Sequence, residues 1–286
     1  MITRHLKMPK MILFDYGHTL LCEPGFDTLR GEEALFKHIK TNRNNLTPAQ
    51  VNDFSQALFE RIGVVRSMGM ELHEWQFQRL LYEYLEIELS ISLPEAEKIF
   101  WDNTSPGAVM PNADKMLDYI NSRGIRSGVI SNIGFSGAAL TDRINRLLPQ
   151  NKFDFIIASS EYMFRKPNPI LFELALKKAG LFAGGTLSGE VVGVADAAGA
   201  VSGGEGDRVA GDGAGSVVTS ADVWFCGDNI KADIEGSAAV GMFPVWYEDE
   251  LIENPWRGQN EGVIPKCNHL HIHDWAEFVE ILNGLR

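Results

Sequence analysis

The stretch MILFDYGHT, residues 11–19, decides how the rest of the chain is interpreted. Its first four residues are all apolar, which predicts a short strand buried on both faces, as in a parallel sheet. The strand ends at Asp15, and Gly17, His18 and Thr19 follow. Ligands of open α/β sheets gather at the carboxyl ends of the strands, so this end of the strand is a candidate site. On these residues alone, a turn or helix N-cap role for Asp15 is an equal alternative.

The second half of the chain alternates between short apolar runs and amphipathic segments. Strands are predicted at residues 125–130, 153–158, 223–226 and 243–247, and helices at 111–123, 138–148, 168–178, 230–240 and 274–285. Strands that alternate with helices predict an α/β fold with a doubly wound parallel sheet.

Residues 22–106 interrupt the α/β series after its first strand, and from about Phe26 to Asn103 their pattern predicts helices without intervening strands. Thr47 is a predicted N-cap followed by Pro48 at the first helical position and Gln50 at the third. Apolar residues recur at helical spacing through two further segments, near 77–85 and 94–101. The sequence therefore predicts a helical-bundle insertion at 22–106 between two parts of one α/β domain, residues 1–21 and 107–286.

The segment 183–220 breaks the composition of the α/β part. It is rich in Gly, Ala, Ser and Val, contains one basic residue, Arg208, and has no aromatic residue. We expect a flexible insertion there, because such a segment has little with which to anchor itself in a core. Its glycines lack the preceding strand and following Lys-Ser/Thr of a phosphate-binding loop.

Composition excludes several classes of protein. The 286 residues are 45% apolar and 22% charged, as in an ordinary globular protein. A formal net charge of −12 without a basic patch excludes nucleic acid as a favoured partner, whereas a small anionic substrate held by a metal ion and one lysine is compatible. Three cysteines are too few for a disulfide framework, and no apolar run approaches the roughly 18 residues of a membrane span. Since a signal-peptide pattern is also missing, we expect a cytoplasmic protein that does not bind membranes. The oligomeric state has no signature in the sequence.

Polar residues end or follow four of the predicted strands. They are Asp15 to Thr19, Ser131 with Asn132, Lys166, and Asp228 to Asp233. Because these ends meet at one edge of a doubly wound sheet, carboxylates, a hydroxyl and an ammonium are expected in one crevice. This set suits phosphoryl transfer, in which carboxylates hold Mg²⁺ and a carboxylate is the nucleophile.

The same residues, in the same order, resemble the four motifs of the haloacid dehalogenase superfamily. The motifs here are FDYGHTL, VISN, RKPNP and CGDNIKAD, at residues 14–20, 129–132, 165–169 and 226–233. The helical insertion directly after the first motif is similar to the C1 cap of subfamily I. The resemblance implies a Rossmann-like core with a cap domain.

The resemblance also implies a metal site. By position, Asp15 is both the nucleophile that forms an aspartyl-phosphate and a ligand of Mg²⁺. Gly17 would offer its backbone carbonyl to the ion, and Asp228 its carboxylate. Asp233 is either a metal-site residue or a solvated residue in the first turn of a helix.

The remaining motif residues are implied to bind the substrate. Ser131 and the backbone of Asn132 would bind the transferring phosphoryl group, and Lys166 would neutralise both that group and Asp15. Thr19, in the same predicted substrate-binding set, would order the loop behind the nucleophile.

Gly17 is where this chain departs from the family. The phosphatases of the family have a second Asp at this position, which protonates the leaving group and activates water. General acid–base catalysis is worth roughly 10²- to 10⁴-fold, so its loss predicts a slow phosphatase. His18 is a candidate replacement near neutral pH, although a turn histidine more commonly faces solvent or bonds the local backbone.

These observations give one main hypothesis and two alternatives. The main one is a Mg²⁺-dependent hydrolase of small phosphorylated metabolites. The alternatives are a degenerate protein that binds a phosphorylated ligand without useful turnover, and a phosphonate hydrolase, which needs a cap lysine among Lys37, Lys40 and Lys98. Haloacid dehalogenation, which needs no Mg²⁺, is disfavoured by Asp228 and Asp233.

Three histidines near the end of the chain alternate as strand residues do: His269, His271 and His273. A metal site is conceivable, but no carboxylate or cysteine pattern completes it in the sequence. We expect these side chains to be structural or to face solvent.

Overall fold

The computed structural model describes residues 6–181, 219–249, 251–252 and 257–285. In chain order the elements are β1 (Met11–Phe14), β2 (Leu21–Cys22), α1 (Thr28–Phe36), β3 (Ile39–Asn42), α2 (Pro48–Ser67), α3 (Glu74–Tyr84), β4 (Ile87–Leu89), α4 (Leu93–Thr104), β5 (Ala108–Val109), α5 (Ala113–Ser122), β6 (Arg126–Ser131), α6 (Gly137–Leu147), β7 (Phe153–Ala158), α7 (Pro169–Lys178), β8 (Val223–Gly227), α8 (Gly236–Ala239), β9 (Phe243–Tyr247), β10 (Leu270–Ile272) and α9 (Trp275–Gly284). The predicted flexible insertion at 183–220 lies outside the described residues, apart from its last two.

A six-stranded parallel sheet forms the centre of the fold, in the order β10-β9-β8-β1-β6-β7. It confirms the predicted α/β class and the doubly wound parallel arrangement. Strand β1 lies between β6 and β8, and all four of its residues are buried. A continuous apolar run suits this position because both faces of the strand are covered.

Helices pack against both faces of the sheet, and the side chains of β1 alternate between the two cores. Ile12 and Phe14 belong to the cluster formed with α5, α6 and α9. Met11 and Leu13 belong to a second cluster, which contains the apolar residues of α7. This alternation follows from the two-residue period of a strand, and it places apolar side chains of β1 in both cores.

The insertion contains the predicted helices, and it begins and ends at an antiparallel pair, β2 with β5. Thr47 caps α2 with the expected capping box, and Pro48 stands at its start. The expectation of helices without strands is wrong, because β3 and β4 form a second antiparallel pair. Each of these strands has three or four residues, too few for a two-residue period to be distinguished from a loop.

Helix α4 of the insertion is fixed on α6 of the core. Glu97 of α4 accepts hydrogen bonds from the backbone N–H and hydroxyl of Ser136, both at 2.6 Å. Trp101 of α4 stacks on Phe135 with the ring centroids 4.0 Å apart. These contacts hold one side of the insertion against the core, next to the end of β6. Among the described residues, no helix has both the length and the apolar character needed to cross a membrane.

The segment after β8 differs from the predicted single α-helix at 230–240. Residues Ile230–Glu235 form a π-helix that continues into the short α8. The backbone carbonyl of Asn229 accepts from both Asp233, at 2.8 Å, and Ile234, at 3.4 Å, which widens the first turn. Wide turns of this kind occur frequently at functional sites, and this one carries Asp233.

Candidate active site

The carboxyl ends of the three central strands bring the predicted site residues to one edge of the sheet. Asp15 directly follows β1, Ser131 ends β6, and Asp228 follows β8. The backbone N–H of Asp15 donates to Cys226 at 2.8 Å, so the β1–β8 pairing extends to the residue that carries the carboxylate. Asp15 is therefore positioned by the sheet itself.

Lys166 lies at the centre of the site, on the segment between β7 and α7. Its Nζ is 2.6 Å from Asp15 Oδ1, 2.7 Å from Asp233 Oδ1 and 2.7 Å from the carbonyl oxygen of Ile130. The side chain is 1% exposed. The ammonium thus bridges two carboxylates, one from the first of the four motifs and one from the last.

Burial and charge act in opposite directions on these groups. Burial by itself would lower the pKa of Lys166, but the carboxylates of Asp15 and Asp233 outweigh it and raise that pKa. Burial raises the pKa of Asp233; the charge of Asp15 acts in the same direction, and Lys166 opposes it. The lysine therefore stays charged, and one of its two carboxylate partners is more easily protonated than an exposed aspartate.

Asp233 is held inside the site by the backbone. Its carboxylate accepts from the N–H of Asn229 at 3.0 Å, and only 1% of the residue is exposed. Asp233 does lie in the first turn of the helix, but the expectation that it is solvated there is wrong, because the residue is buried. Gly227 makes room for this carboxylate, since a Cβ there would lie 2.4 Å from Asp233 Cγ.

Carboxylate oxygens of Asp15, Asp228 and Asp233, one from each, lie within 4.8 Å of one another. Hard divalent cations such as Mg²⁺ prefer oxygen ligands of this kind. The donor set thus fits the cofactor implied by the resemblance.

Ser131, Asn132 and Thr19 surround this centre in different ways. Ser131 is buried at the end of β6. The Asn132 side chain accepts from the backbone N–H of Lys166 at 2.7 Å and donates to its carbonyl at 2.9 Å, so it holds the lysine backbone in place. Thr19 is fully buried, and its carbonyl accepts from the indole N–H of Trp275 at 2.9 Å. The predicted substrate-binding roles of these three residues stay predictions.

The loop after Asp15 leaves open space at the position of the missing carboxylate. A Cβ added to Gly17 would meet no atom within 4 Å among the described residues. His18 follows with φ of 51°, and its backbone N–H donates to Leu21 at 2.7 Å. It borders a cleft that Asp228 and Glu248 also line, so a role as a surrogate acid stays a prediction.

One residue near the site, Glu71, has no predicted role in the sequence analysis. Glu71, from the insertion, forms an ion pair with Arg165 and accepts from the Ser159 hydroxyl at 3.0 Å. Its backbone N–H also donates to Met163 at 2.6 Å. The sequence contains one indication of this contact: Arg165, directly before Lys166, needs a carboxylate partner if it is buried.

The three histidines lie on and directly beside β10, at the edge of the sheet. His271 Nε2 is 3.0 Å from the carboxylate of Glu248, which follows β9. The interpretation that no carboxylate completes this cluster is wrong, because the β9–β10 pairing brings Glu248 to residues 23 positions away in the chain.

Comparison with known proteins agrees with the geometry. The family model for haloacid dehalogenase-like hydrolases matches residues 9–241. A phosphatase of this superfamily from Thermococcus onnurineus has a similar structure, with 16% identity, a TM-score of 0.56, and coverage of 96% of this chain and 99% of that one. A 2-haloacid dehalogenase from Pseudomonas syringae pv. Tomato DC3000 is similar at 17% identity and a TM-score of 0.55, with 97% and 99% covered.

At these identities the two structures show the fold alone, and their different activities leave the reaction open. No curated protein sequence matches the chain. The family model, however, spans most of the chain and includes all four motif segments around Lys166. The chain therefore belongs to the haloacid dehalogenase-like hydrolase family and is a hydrolase.

Proposed function

We propose that the protein is a Mg²⁺-dependent phosphatase of small phosphorylated metabolites that acts through an aspartyl-phosphate on Asp15. One observation carries the proposal. Lys166 Nζ lies within 2.7 Å of both Asp15 and Asp233, beside a group of three carboxylates whose oxygens are within 4.8 Å of one another. A buried cation next to an oxygen-rich cation site suits a substrate that carries several negative charges.

Asp15, Asp228 and Asp233 would hold the Mg²⁺ ion, together with the backbone carbonyl of Gly17. When bound, the ion would neutralise charge on the phosphoryl oxygens. The carboxylate of Asp15 attacks phosphorus, a new O–P bond forms, and the bond to the leaving oxygen breaks. Water then attacks the aspartyl-phosphate, which releases inorganic phosphate and regenerates the carboxylate.

Other side chains bind and orient. Lys166 lies beside the attacking carboxylate, where it lowers the repulsion between Asp15 and an incoming phosphate. Ser131 and the backbone of Asn132 would donate to the phosphoryl oxygens. Asn132 holds the backbone of Lys166 through two hydrogen bonds, so it also fixes the position of the ammonium.

Gly17 offers no proton to the leaving oxygen, which must then take one from water or from a neighbouring group such as His18. This deficit is the specific observation that favours a second candidate function, a protein that binds a phosphorylated ligand with little turnover. The phosphonate alternative has less support, since Lys40 and Lys98 are exposed and paired with Glu88 and Asp142.

The proposal is tested by incubating the protein with Mg²⁺ and acetyl phosphate or p-nitrophenyl phosphate while phosphate release and intact mass are recorded together. We expect slow multiple turnover that ends when EDTA is added and falls by ~10³-fold or more in Asp15→Asn, because the nucleophile is lost. Asp118→Asn, on the exposed side of α5, is the matched control. Turnover that survives in Asp15→Asn would contradict the proposal. A phosphate adduct without release would favour the second candidate.

Gly17→Asp tests the reason for slow turnover. The open space at Gly17 admits a side chain, so a carboxylate there should restore acid–base catalysis and raise turnover by ~10²-fold. Gly63→Asp, a second open glycine, lies on α2 and controls for the added charge. If Gly17→Asp leaves turnover unchanged while Asp15→Asn abolishes it, another group already supplies the proton.

A further inference from the structure

A second group of possible metal ligands lies at the β10 edge of the sheet, and none of its members has a role in the proposed phosphatase chemistry. Strands β9 and β10 run parallel with Tyr247 opposite Ile272, and the N–H of Glu248 donates to Ile272 at 2.9 Å. His271 in β10 and His273 directly after it flank Ile272, and their ring centroids are 4.4 Å apart, so both side chains lie on the same side of the chain. The pairing therefore brings both imidazoles to the carboxylate of Glu248.

The two rings are held in defined orientations. His271 stacks on Trp246, with centroids 3.9 Å apart and planes 10° from parallel, and its Nε2 is 3.0 Å from Glu248 Oε2. His273 Nδ1 is 3.1 Å from the backbone carbonyl oxygen of Glu248. A carbonyl only accepts, so this Nδ1 carries the proton and the Nε2 of a neutral His273 keeps its lone pair. Histidine ligands of metal ions are oriented by the same kind of hydrogen bond.

One ligand atom from each of Glu248, His271 and His273 lies within 4.8 Å of the others. Bonds of about 2.0–2.2 Å to a tetrahedral zinc ion place neighbouring ligand atoms roughly 3.3 Å apart, so small side-chain movements complete the geometry. We propose that Glu248, His271 and His273 bind a divalent transition-metal ion of the zinc type, with the remaining coordination position open to solvent beside the exposed His273.

This site differs in chemistry from the aspartate cluster. Two imidazoles and one carboxylate suit zinc, cobalt or nickel, whereas three carboxylates suit magnesium. The two sites are close to the same cleft, because Glu248 lines it together with His18 and Asp228. An ion bound at Glu248 would join β9 to β10 and fix the side chain that borders the cleft.

The test uses the full chain without a polyhistidine tag, stripped of metal by a chelator, and titrated with Zn²⁺ by calorimetry and with Co²⁺ by visible absorption. The titrations contain excess Mg²⁺ to occupy the aspartate cluster, and we then expect one further ion per chain, a cobalt spectrum of low coordination number, and a rise in melting temperature with Zn²⁺. His271→Ala and Glu248→Gln should each weaken binding by at least ~10-fold. The exposed His273→Gln should do the same, and it is the variant least able to disturb folding.

Three controls separate this site from others. His269→Ala removes the neighbouring imidazole, whose Nδ1 is 2.9 Å from the carbonyl of Cys267. Cys267→Ser removes the nearest thiol along the chain, and Asp228→Asn alters the aspartate cluster. We expect all three to retain the ion. Binding that survives His271→Ala and His273→Gln, or that disappears in Cys267→Ser or Asp228→Asn, would overturn the proposal.

Discussion

Two groups of buried carboxylates, one in the core and one in the insertion, have partners of different charge. In the core, Asp15 and Asp233 face the ammonium of Lys166. In the insertion, Glu32 accepts from the Tyr82 hydroxyl at 2.7 Å, and Glu97 accepts from the Trp75 indole at 2.8 Å. Among the described residues, no ion pair joins Glu32 or Glu97 to a lysine or an arginine.

The pKa values of buried carboxyls in the insertion are raised. Burial raises the pKa of Glu32 to about 7, and the hydrogen bond from Tyr82 opposes it only in part. Burial and the charge of Glu97 raise the pKa of Glu74 to about 8. Burial also raises the pKa of Asp233, to about 6, but there the charge of Lys166 opposes the rise, whereas at Glu32 only a hydrogen bond opposes it. The two groups therefore differ in the buried lysine, which places an opposite charge beside the carboxylates of the core group only.

The largest expected effect comes from removing that cation. Lys166→Met leaves Asp15 and Asp233 buried without an opposite charge, and breaking a buried pair in this way costs about 3–5 kcal/mol. We expect the free energy of unfolding at neutral pH, measured by urea denaturation, to fall by this amount and phosphate release to be lost.

A second substitution tests the cause of that loss. In Lys166→Met with Asp233→Asn, one of the two uncompensated carboxylates is gone, so part of the stability should return without recovery of phosphate release. If the double variant is no more stable than Lys166→Met alone, lost packing of the lysine chain rather than unpaired charge explains the effect.

The core cluster could be predicted from the sequence because each member ends or follows an apolar run. Met11 to Phe14 is long enough to indicate a buried strand, and the carboxyl ends of parallel strands always share one edge. Position in the chain then predicts that Asp15, Lys166 and Asp228 lie close together. The residue that required the structure was Asp233, since the wide turn that buries it has no sequence signature.

The insertion and the sheet edge could not be predicted in the same way. Tyr82 meets Glu32 across 50 residues, and Ser136 meets Glu97 across 39. Helix packing sets these contacts, and the apolar stripes of the helices do not reveal which polar residues they bury. Glu248 was missed for a related reason, because only the pairing of β9 with β10 brings it to the histidines.

The next largest effect concerns the pH dependence of stability. A carboxyl with a raised pKa in the folded state binds its proton more tightly there, so its contribution to stability falls as pH rises from about 4.5 to about 7. Glu32→Gln keeps an acceptor for the Tyr82 hydroxyl and removes the pH-dependent contribution of the carboxyl to stability. Relative to that of the unmodified protein, the free energy of unfolding of the variant should rise by up to about 3 kcal/mol between pH 4.5 and pH 8.

Urea denaturation at several pH values measures this gain, and the adjacent, exposed Glu33→Gln serves as the matched control. If the free energy of unfolding changed with pH in the same way for Glu32→Gln and the unmodified protein, the pKa of Glu32 would not be raised in the folded state. The buried carboxyl without a lysine would then not have the raised pKa on which the comparison of the two groups depends.

The smallest expected change in the free energy of unfolding comes from the same substitution, lysine to methionine, in an exposed ion pair. Lys98 of α4 pairs with Asp142 of α6, but their side chains are 55% and 57% exposed, so water already solvates both charges. Lys98→Met should change the free energy of unfolding by about 1 kcal/mol or less, and by less still in high salt. Since the same atoms are exchanged as in Lys166→Met, the difference between the two measurements isolates what burial adds. A loss at Lys98 as large as that at Lys166 would mean that the cation of the core cluster has no special electrostatic role.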